Sequence, residues 1–104
     1  MIPNLLEAIN YHDHQIASRL LSQKLDIKEK IVLYAMAKGE TISSESSPKT
    51  KLIIVLEGKL VLTNKKESQT LEANGLVSIP ANQNHHFKAD ENTKFLQLEL
   101  ASDN

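Results

Sequence analysis

The chain has no cysteine among its 104 residues. That excludes disulfides, thiolate metal sites and a cysteine nucleophile, and it fits any cellular compartment. Tryptophan is also absent, and the aromatics are Tyr11, Tyr34, Phe87 and Phe95. The core must therefore be built mostly from Leu, Ile and Val. Neither sign of charge dominates: 12 basic and 13 acidic side chains leave a formal net charge of −1. This gives no electrostatic reason to expect nucleic acid, and no basic amphipathic segment suits a membrane surface. No apolar run approaches the roughly 18–20 residues of a transmembrane helix. The N-terminus, Met1-Ile2-Pro3-Asn4, has neither a basic region nor a long apolar one. No signal peptide is read there, and a cytoplasmic location is expected.

What is present is ordinary for a soluble globule: 40% apolar and 24% charged residues. Disorder needs low hydrophobicity with high net charge, and neither holds. The length suits a single domain with a small core. Asn4 is a candidate N-cap before Leu5, Leu6 and Ile9, so a short helix is expected near residues 5–10. Residues 15–23 fit a helix through Ile16, Leu20 and Leu21, or a strand through Ile16, Ser18 and Leu20.

After residue 29 the pattern is β. The runs Ile31 to Met36, Leu52 to Leu56 and Leu60 to Thr63 are each apolar and end at turn residues. A short segment around Leu71 follows, closed by Asn74-Gly75, and Leu76 to Ile79 ends at Pro80. His85 to Lys88 is short, and Phe95 to Leu100 alternates to the end. Short strands with closely spaced turns indicate a sandwich or barrel. Glu57-Gly58 joins two strands tightly, with glycine free to take the positive φ such a turn needs. Ser43 to Ser47, followed by Pro48, reads as an exposed turn or loop.

An ordered set of residues carries a resemblance. It comprises Gly39, the unit Leu52 to Gly58, then Leu71, Ala73, Asn74-Gly75, and the run from Ile79-Pro80 to His85-His86-Phe87. In this order and spacing the chain resembles the small single-domain cupins. The resemblance implies an all-β cupin barrel, a double-stranded β-helix of jelly-roll type. Residues 29–101 would form the barrel core and residues 1–28 an N-terminal extension, within one domain spanning 1–104. Aligned on Gly39 and Gly58, the family's first motif puts Glu45 and Ser47 where two metal-binding histidines are expected, and Lys51 where a glutamate is expected. The second motif matches at Gly75, Pro80 and His85, with Asn82 in a glycine's place. His85 is then the one family ligand retained of four. A mononuclear site needs three or four inward donors, and an ammonium in that position repels a cation. No metal and no cofactor are expected.

Other residues admit chemical and plain readings. His85 either fills the barrel mouth with a local hydrogen bond or faces a ligand as a titratable imidazole. His86 should point away from it, since strand neighbours alternate. His12-Asp13-His14 lies outside both motifs and reads as a solvated pair, not a metal site. Glu45 and Lys51 read as an exposed ion pair worth about 0–1 kcal/mol, with a Glu–Lys–His acid–base cluster as the alternative. The serines form no nucleophile elbow. Lys28 to Lys30 and Lys65-Lys66 read as solvated turn residues.

Three functions follow. The first is a metal-free barrel binding an unknown small molecule, or an accessory domain. His85, Glu45, Ser47, Lys51, Ile53, Val55 and Phe87 are its expected ligand-binding residues. The second is an isomerase-, lyase- or oxygenase-like enzyme in which Glu45 and His85 do the chemistry, with or without a weakly held metal. The third is an interaction module that dimerises. A homodimer is expected, since small cupins commonly pair and a small barrel leaves edge strands to cover. Residues 15–37 are its expected contributors, because they hold more apolar side chains than one small barrel needs.

Overall fold

Alternation sets the architecture. In the computed structural model, which describes residues 1–65 and 67–101, successive side chains along Thr50–Glu57, Lys59–Asn64 and His85–Ala89 are buried and less buried in turn, while Lys30–Met36 buries both of its faces. The strands are β1 (Ile16–Leu20), β2 (Lys30–Met36), β3 (Thr41–Glu45), β4 (Thr50–Glu57), β5 (Lys59–Asn64), β6 (Glu67–Glu72), β7 (Leu76–Ile79), β8 (His85–Ala89) and β9 (Thr93–Leu100). All pair antiparallel, in a five-stranded sheet ordered β1-β2-β9-β4-β7 and a four-stranded sheet ordered β3-β8-β5-β6. Two antiparallel sheets with apolar inner faces stack because each hides one face from water.

Met36, Ile53, Val55, Leu60, Leu62, Ile79, Phe87 and Phe95 fill the space between the sheets, each 2% exposed or less. Phe95 stands at the centre. Its ring stacks on Tyr34 with centroids 4.9 Å apart and meets Phe87 at 5.5 Å. Burying a side chain of this size contributes about 1.5–3 kcal/mol relative to leaving it in water.

Glu57-Gly58 joins β4 to β5, but the two strands belong to different sheets, so the chain turns a corner there and not a hairpin. Gly58 has φ +89°, and a Cβ added to it would lie 2.2 Å from the Asn92 carbonyl oxygen. Both facts require glycine.

The N-terminal helix expected near residues 5–10 is a single 3-10 turn, Leu5–Glu7. Asn4 does cap it: its side-chain oxygen accepts from the Leu6 N–H at 3.0 Å. Residues 15–23 resolve in favour of a strand, β1, on the sheet edge. The segment before β1 lies across the outer face of the five-stranded sheet. There Ile2, Leu5, Ala8, Ile9 and Tyr11 pack with Leu21, Ile31, Leu33 and Ala35 as a second apolar cluster. Three side-chain bonds hold it down. Tyr11 donates to a Glu57 carboxylate oxygen at 2.7 Å, Arg19 donates to the Ala8 carbonyl at 2.8 Å, and Lys94 donates to the Leu6 carbonyl at 2.5 Å. Much of the apolar surplus in residues 15–37 is thus covered by the chain's own N-terminal segment, while Leu20 and Ile27 remain 57% and 40% exposed.

The serine-rich stretch is also more ordered than a loop. Ser43 to Glu45 end β3, and Glu45 is in register with His85 on β8. Lys66, and residues 102–104 of the expected single domain, lie outside the described residues.

A lysine-capped histidine at the candidate functional site

Three rows of inward side chains cross the five-stranded sheet. The deepest holds Tyr34, Phe95 and Val55; the next holds Val32, Gln97 and Ile53; the outermost holds Lys30, Glu99 and Lys51. The interior therefore changes from apolar to charged along the same strands. At the charged end a cavity of about 510 Å³ opens, lined by Lys30, Tyr34, Glu45, Ser46, Ser47, Pro48, Lys51, Gln97 and Glu99.

Alternation along β4 forces Lys51 inward with Ile53 and Val55, and its side chain is only 5% exposed. Alternation along β8 does the same for His85, 3% exposed, and leaves His86 partly exposed on the other face. Strand β3 brings Glu45 beside them. Lys51 Nζ lies 3.0 Å from His85 Nε2 and 3.3 Å from Glu45 Oε2, and Glu45 Oε2 lies 3.9 Å from His85 Nε2. The ion pair read as exposed is therefore buried at its lysine end, while Glu45 keeps 47% of its side chain in solvent.

The tautomer of His85 follows from its partners. Nδ1 lies 3.1 Å from the Gln83 carbonyl oxygen, which can only accept, so Nδ1 carries the proton and donates. Nε2 then offers a lone pair, and the Lys51 ammonium donates into it. Burial pushes the His85 pKa below its ordinary 6.5; the Gln83 carbonyl opposes this, Lys51 adds to it and Glu45 opposes it. The ring is neutral at physiological pH. His85 does not line the large cavity. Lys51 stands at the cavity wall with its ammonium on the imidazole behind it.

The rim is held by backbone and hydroxyl contacts. Ser47 donates to Glu99 Oε1 at 3.1 Å and accepts from the Lys49 N–H at 3.1 Å. Its carbonyl accepts from the Asn82 N–H at 2.6 Å. Asn82 has φ +65°, the left-handed region that a glycine commonly fills and asparagine tolerates. Glu99 also pairs with Lys30 at 3.6 Å. Tyr34 keeps its phenolic proton: burial, then the Glu45 and Glu99 carboxylates, raise its pKa.

Of the residues expected to bind a ligand, the structure brings Glu45, Ser47 and Lys51 to the cavity and sets His85 behind Lys51. Ile53, Val55 and Phe87 do not line it; each is 0% exposed and belongs to the core beneath. They share the inward face with Lys51 and His85 but sit deeper, which alternation alone does not reveal. Lys30, Tyr34, Ser46, Pro48, Gln97 and Glu99 are the lining residues that sequence reasoning missed. For Gln97 and Glu99 a signal existed, since both share the parity of the aromatic Phe95. His12 and Asp13 are exposed, and His14 sits in a turn at φ +57°.

Residues 32–99 match the cupin domain family. The chain belongs to that family. Solved cupins superimpose closely. A cupin superfamily protein of Desulfitobacterium hafniense is 26% identical with a TM-score of 0.87, over 97% of this chain and 90% of its own. A cupin 2 conserved barrel domain protein of Leptotrichia buccalis is 26% identical with a TM-score of 0.86, over 93% of this chain and 46% of its own. The putative ethanolamine utilization protein Q of Salmonella typhimurium is 15% identical with a TM-score of 0.73, over 86% of this chain and 72% of its own, and shares the fold. Comparison with curated proteins gave no match.

The metal that many cupins hold does not suit these residues. Among the described residues no group of three or more His, Asp or Glu side chains is placed to hold an ion. At the four motif positions, Ser47 donates its proton to Glu99, and the His85 lone pair is taken by the Lys51 ammonium. A divalent cation there would have to displace a buried positive charge, itself repelling the ion.

Proposed function

We propose that this cupin is a metal-free binding barrel whose mouth takes a small polar organic molecule, with the Lys51 ammonium standing where other cupins place a cation. The observation that carries this reading is the 3.0 Å contact between Lys51 Nζ and His85 Nε2 at the wall of the cavity. An ammonium has three N–H donors. Two meet His85 and Glu45, and no third partner is found among the described residues. The remaining donor suits a carbonyl, carboxylate or hydroxyl oxygen of a bound molecule. The cavity supplies further polar partners in Tyr34, Gln97, Lys30 and Glu99, as a small polar ligand requires.

The reading is tested by a thermal-shift screen of small carbonyl compounds, carboxylates and polyols in the presence of EDTA. Compounds that raise the melting temperature of wild type and lose that effect in Lys51→Met support it. Stabilisation that needs added metal, or that survives Lys51→Met unchanged, contradicts it.

We also propose a cytoplasmic homodimer. Leu20 on the edge strand β1 and Ile27 nearby offer apolar surface, at 57% and 40% exposure, and an open strand edge favours pairing. Light scattering that gives the monomer mass of 11.6 kDa at micromolar concentration would refute the dimer. No helix among the described residues is long and apolar enough to cross a membrane.

A further inference from the structure

We propose that Lys51 captures a small uncharged hydroxyaldehyde at the barrel mouth as a protonated imine, with His85 as the base that frees the amine. This rests on the metal-free reading above and assigns the chemical class of ligand to the same cavity. Lys51 is the primary amine at the inner wall. Its side chain is 5% exposed, and it lines a cavity of about 510 Å³ open to solvent. The nearest partner of Nζ is an imidazole lone pair at 3.0 Å, aimed there because Nδ1–H is spent on Gln83. Amine nucleophiles work when an adjacent base takes their proton. The base contacts Nζ and Lys51 lines the cavity, so rotation about Cε–Nζ is needed to turn the freed lone pair from the imidazole toward a carbonyl carbon there.

The step balances without a co-reactant. A proton moves from Lys51 Nζ to His85 Nε2, and the freed nitrogen lone pair attacks the aldehyde carbon. The C–N bond forms as the carbonyl π pair moves to oxygen, which takes a proton from the imidazolium. The second N–H proton of the carbinolamine leaves through the same imidazole, reaching the hydroxyl as the C–O bond breaks and water departs. The nitrogen pair forms the C=N bond with the third proton still on nitrogen, so one ammonium plus one aldehyde becomes one iminium plus one water, and His85 ends neutral as it began. Tyr34, which retains its phenolic proton, is a donor in the same cavity for the carbonyl oxygen. Glu45, at 3.3 Å from Nζ, offsets the iminium charge. The lining carries two ammoniums, Lys30 and Lys51, and two carboxylates, Glu45 and Glu99. With His85 neutral these charges cancel, which favours an uncharged ligand, and the carboxylate oxygens accept hydroxyl protons.

Glycolaldehyde with sodium cyanoborohydride is the probe, using the full chain, followed by intact mass and peptide mapping. At limiting aldehyde, Lys51 should carry the reduced adduct roughly a hundredfold ahead of the exposed Lys24, Lys28 and Lys49, the lower end of what a positioned base contributes. Lys51→Arg should abolish the selective adduct and leave the exposed sites unchanged. His85→Gln should slow Lys51 labelling about a hundredfold and flatten its pH–rate profile, which a purely structural role would not do. Labelling of Lys51 no faster than of the exposed lysines in wild type overturns the proposal without recourse to any variant. A zinc titration of the same preparation separates the two readings. Zinc uptake near one equivalent removes both. No zinc uptake with unselective labelling removes the imine alone and leaves the binding barrel standing.

Discussion

The two ends of the barrel interior are built from the same strands and differ in what they hold. At one end β4, β8 and β9 contribute Val55, Phe87 and Phe95, all 0% exposed. At the other end the same strands contribute Lys51, His85 and Glu99, joined to Glu45 and Ser47 by hydrogen bonds and ion pairs. Alternation makes all six point inward. The apolar end supplies cohesion, because its side chains exclude water and interlock. The polar end contributes little to cohesion, because each charge placed there loses hydration that its partner only partly restores. On the proposed reading, that end serves recognition.

The sharpest way to break the comparison is to delete from the apolar end. Phe95→Ala should cost about 3–5 kcal/mol in urea unfolding, the range for removing a buried aromatic ring. Gly58→Ala should come next, at about 2–4 kcal/mol, from the positive φ combined with the Cβ clash at Asn92. Both changes leave Lys51 and His85 in place. Lys51→Met, by contrast, should cost no more than about 1–3 kcal/mol, the penalty for leaving the buried His85 lone pair unpaired, part of which is offset because the ammonium's own desolvation disappears. If Lys51→Met instead unfolds the protein, the two ends do not divide the labour as described.

How much of this the sequence disclosed depends on the length of pattern each feature needs. The strands from β2 onward, β3 excepted, are legible because runs such as Leu52 to Leu56 and Phe95 to Leu100 are long enough to show their pattern. Strand β1 is not, since five residues on an edge bury little and leave Ile16, Ser18 and Leu20 open to either reading. The spacing from Gly39 to Gly58 named Glu45, Ser47 and Lys51 as one group, and the structure gathers them with His85. Their depth was beyond reach. Whether Lys51 is buried depends on β3 closing over it, and Ser43 to Glu45 look like a turn when read locally. Ile53 and Val55 share parity with Lys51 but not height in the barrel, and height is set by register against β9. The packing of Ile9 and Leu21 on the outer sheet face needed three-dimensional contact to be seen.

The smallest effect expected is in pH. Burial holds the folded pKa of His85 below 6.5. As pH falls through that value the unfolded chain takes up a proton that the folded one still refuses, so stability declines from there down to the lowered folded pKa. His85→Gln lacks this linkage. Its stability relative to wild type should therefore improve as pH is lowered from neutral to about 5, read by thermal unfolding at matched ionic strength. A gap that stays constant would show that His85 is not held neutral at the mouth.

The central claim is that the Lys51 ammonium occupies the cation's place. Calorimetric zinc titration of the wild type and of the triple variant Glu45→His, Ser47→His, Lys51→Glu tests it most directly. The account predicts no saturable zinc binding by wild type, and a one-to-one isotherm for the variant with His85 as the fourth ligand. Stoichiometric zinc binding by wild type, or a folded variant that binds no better, would contradict it.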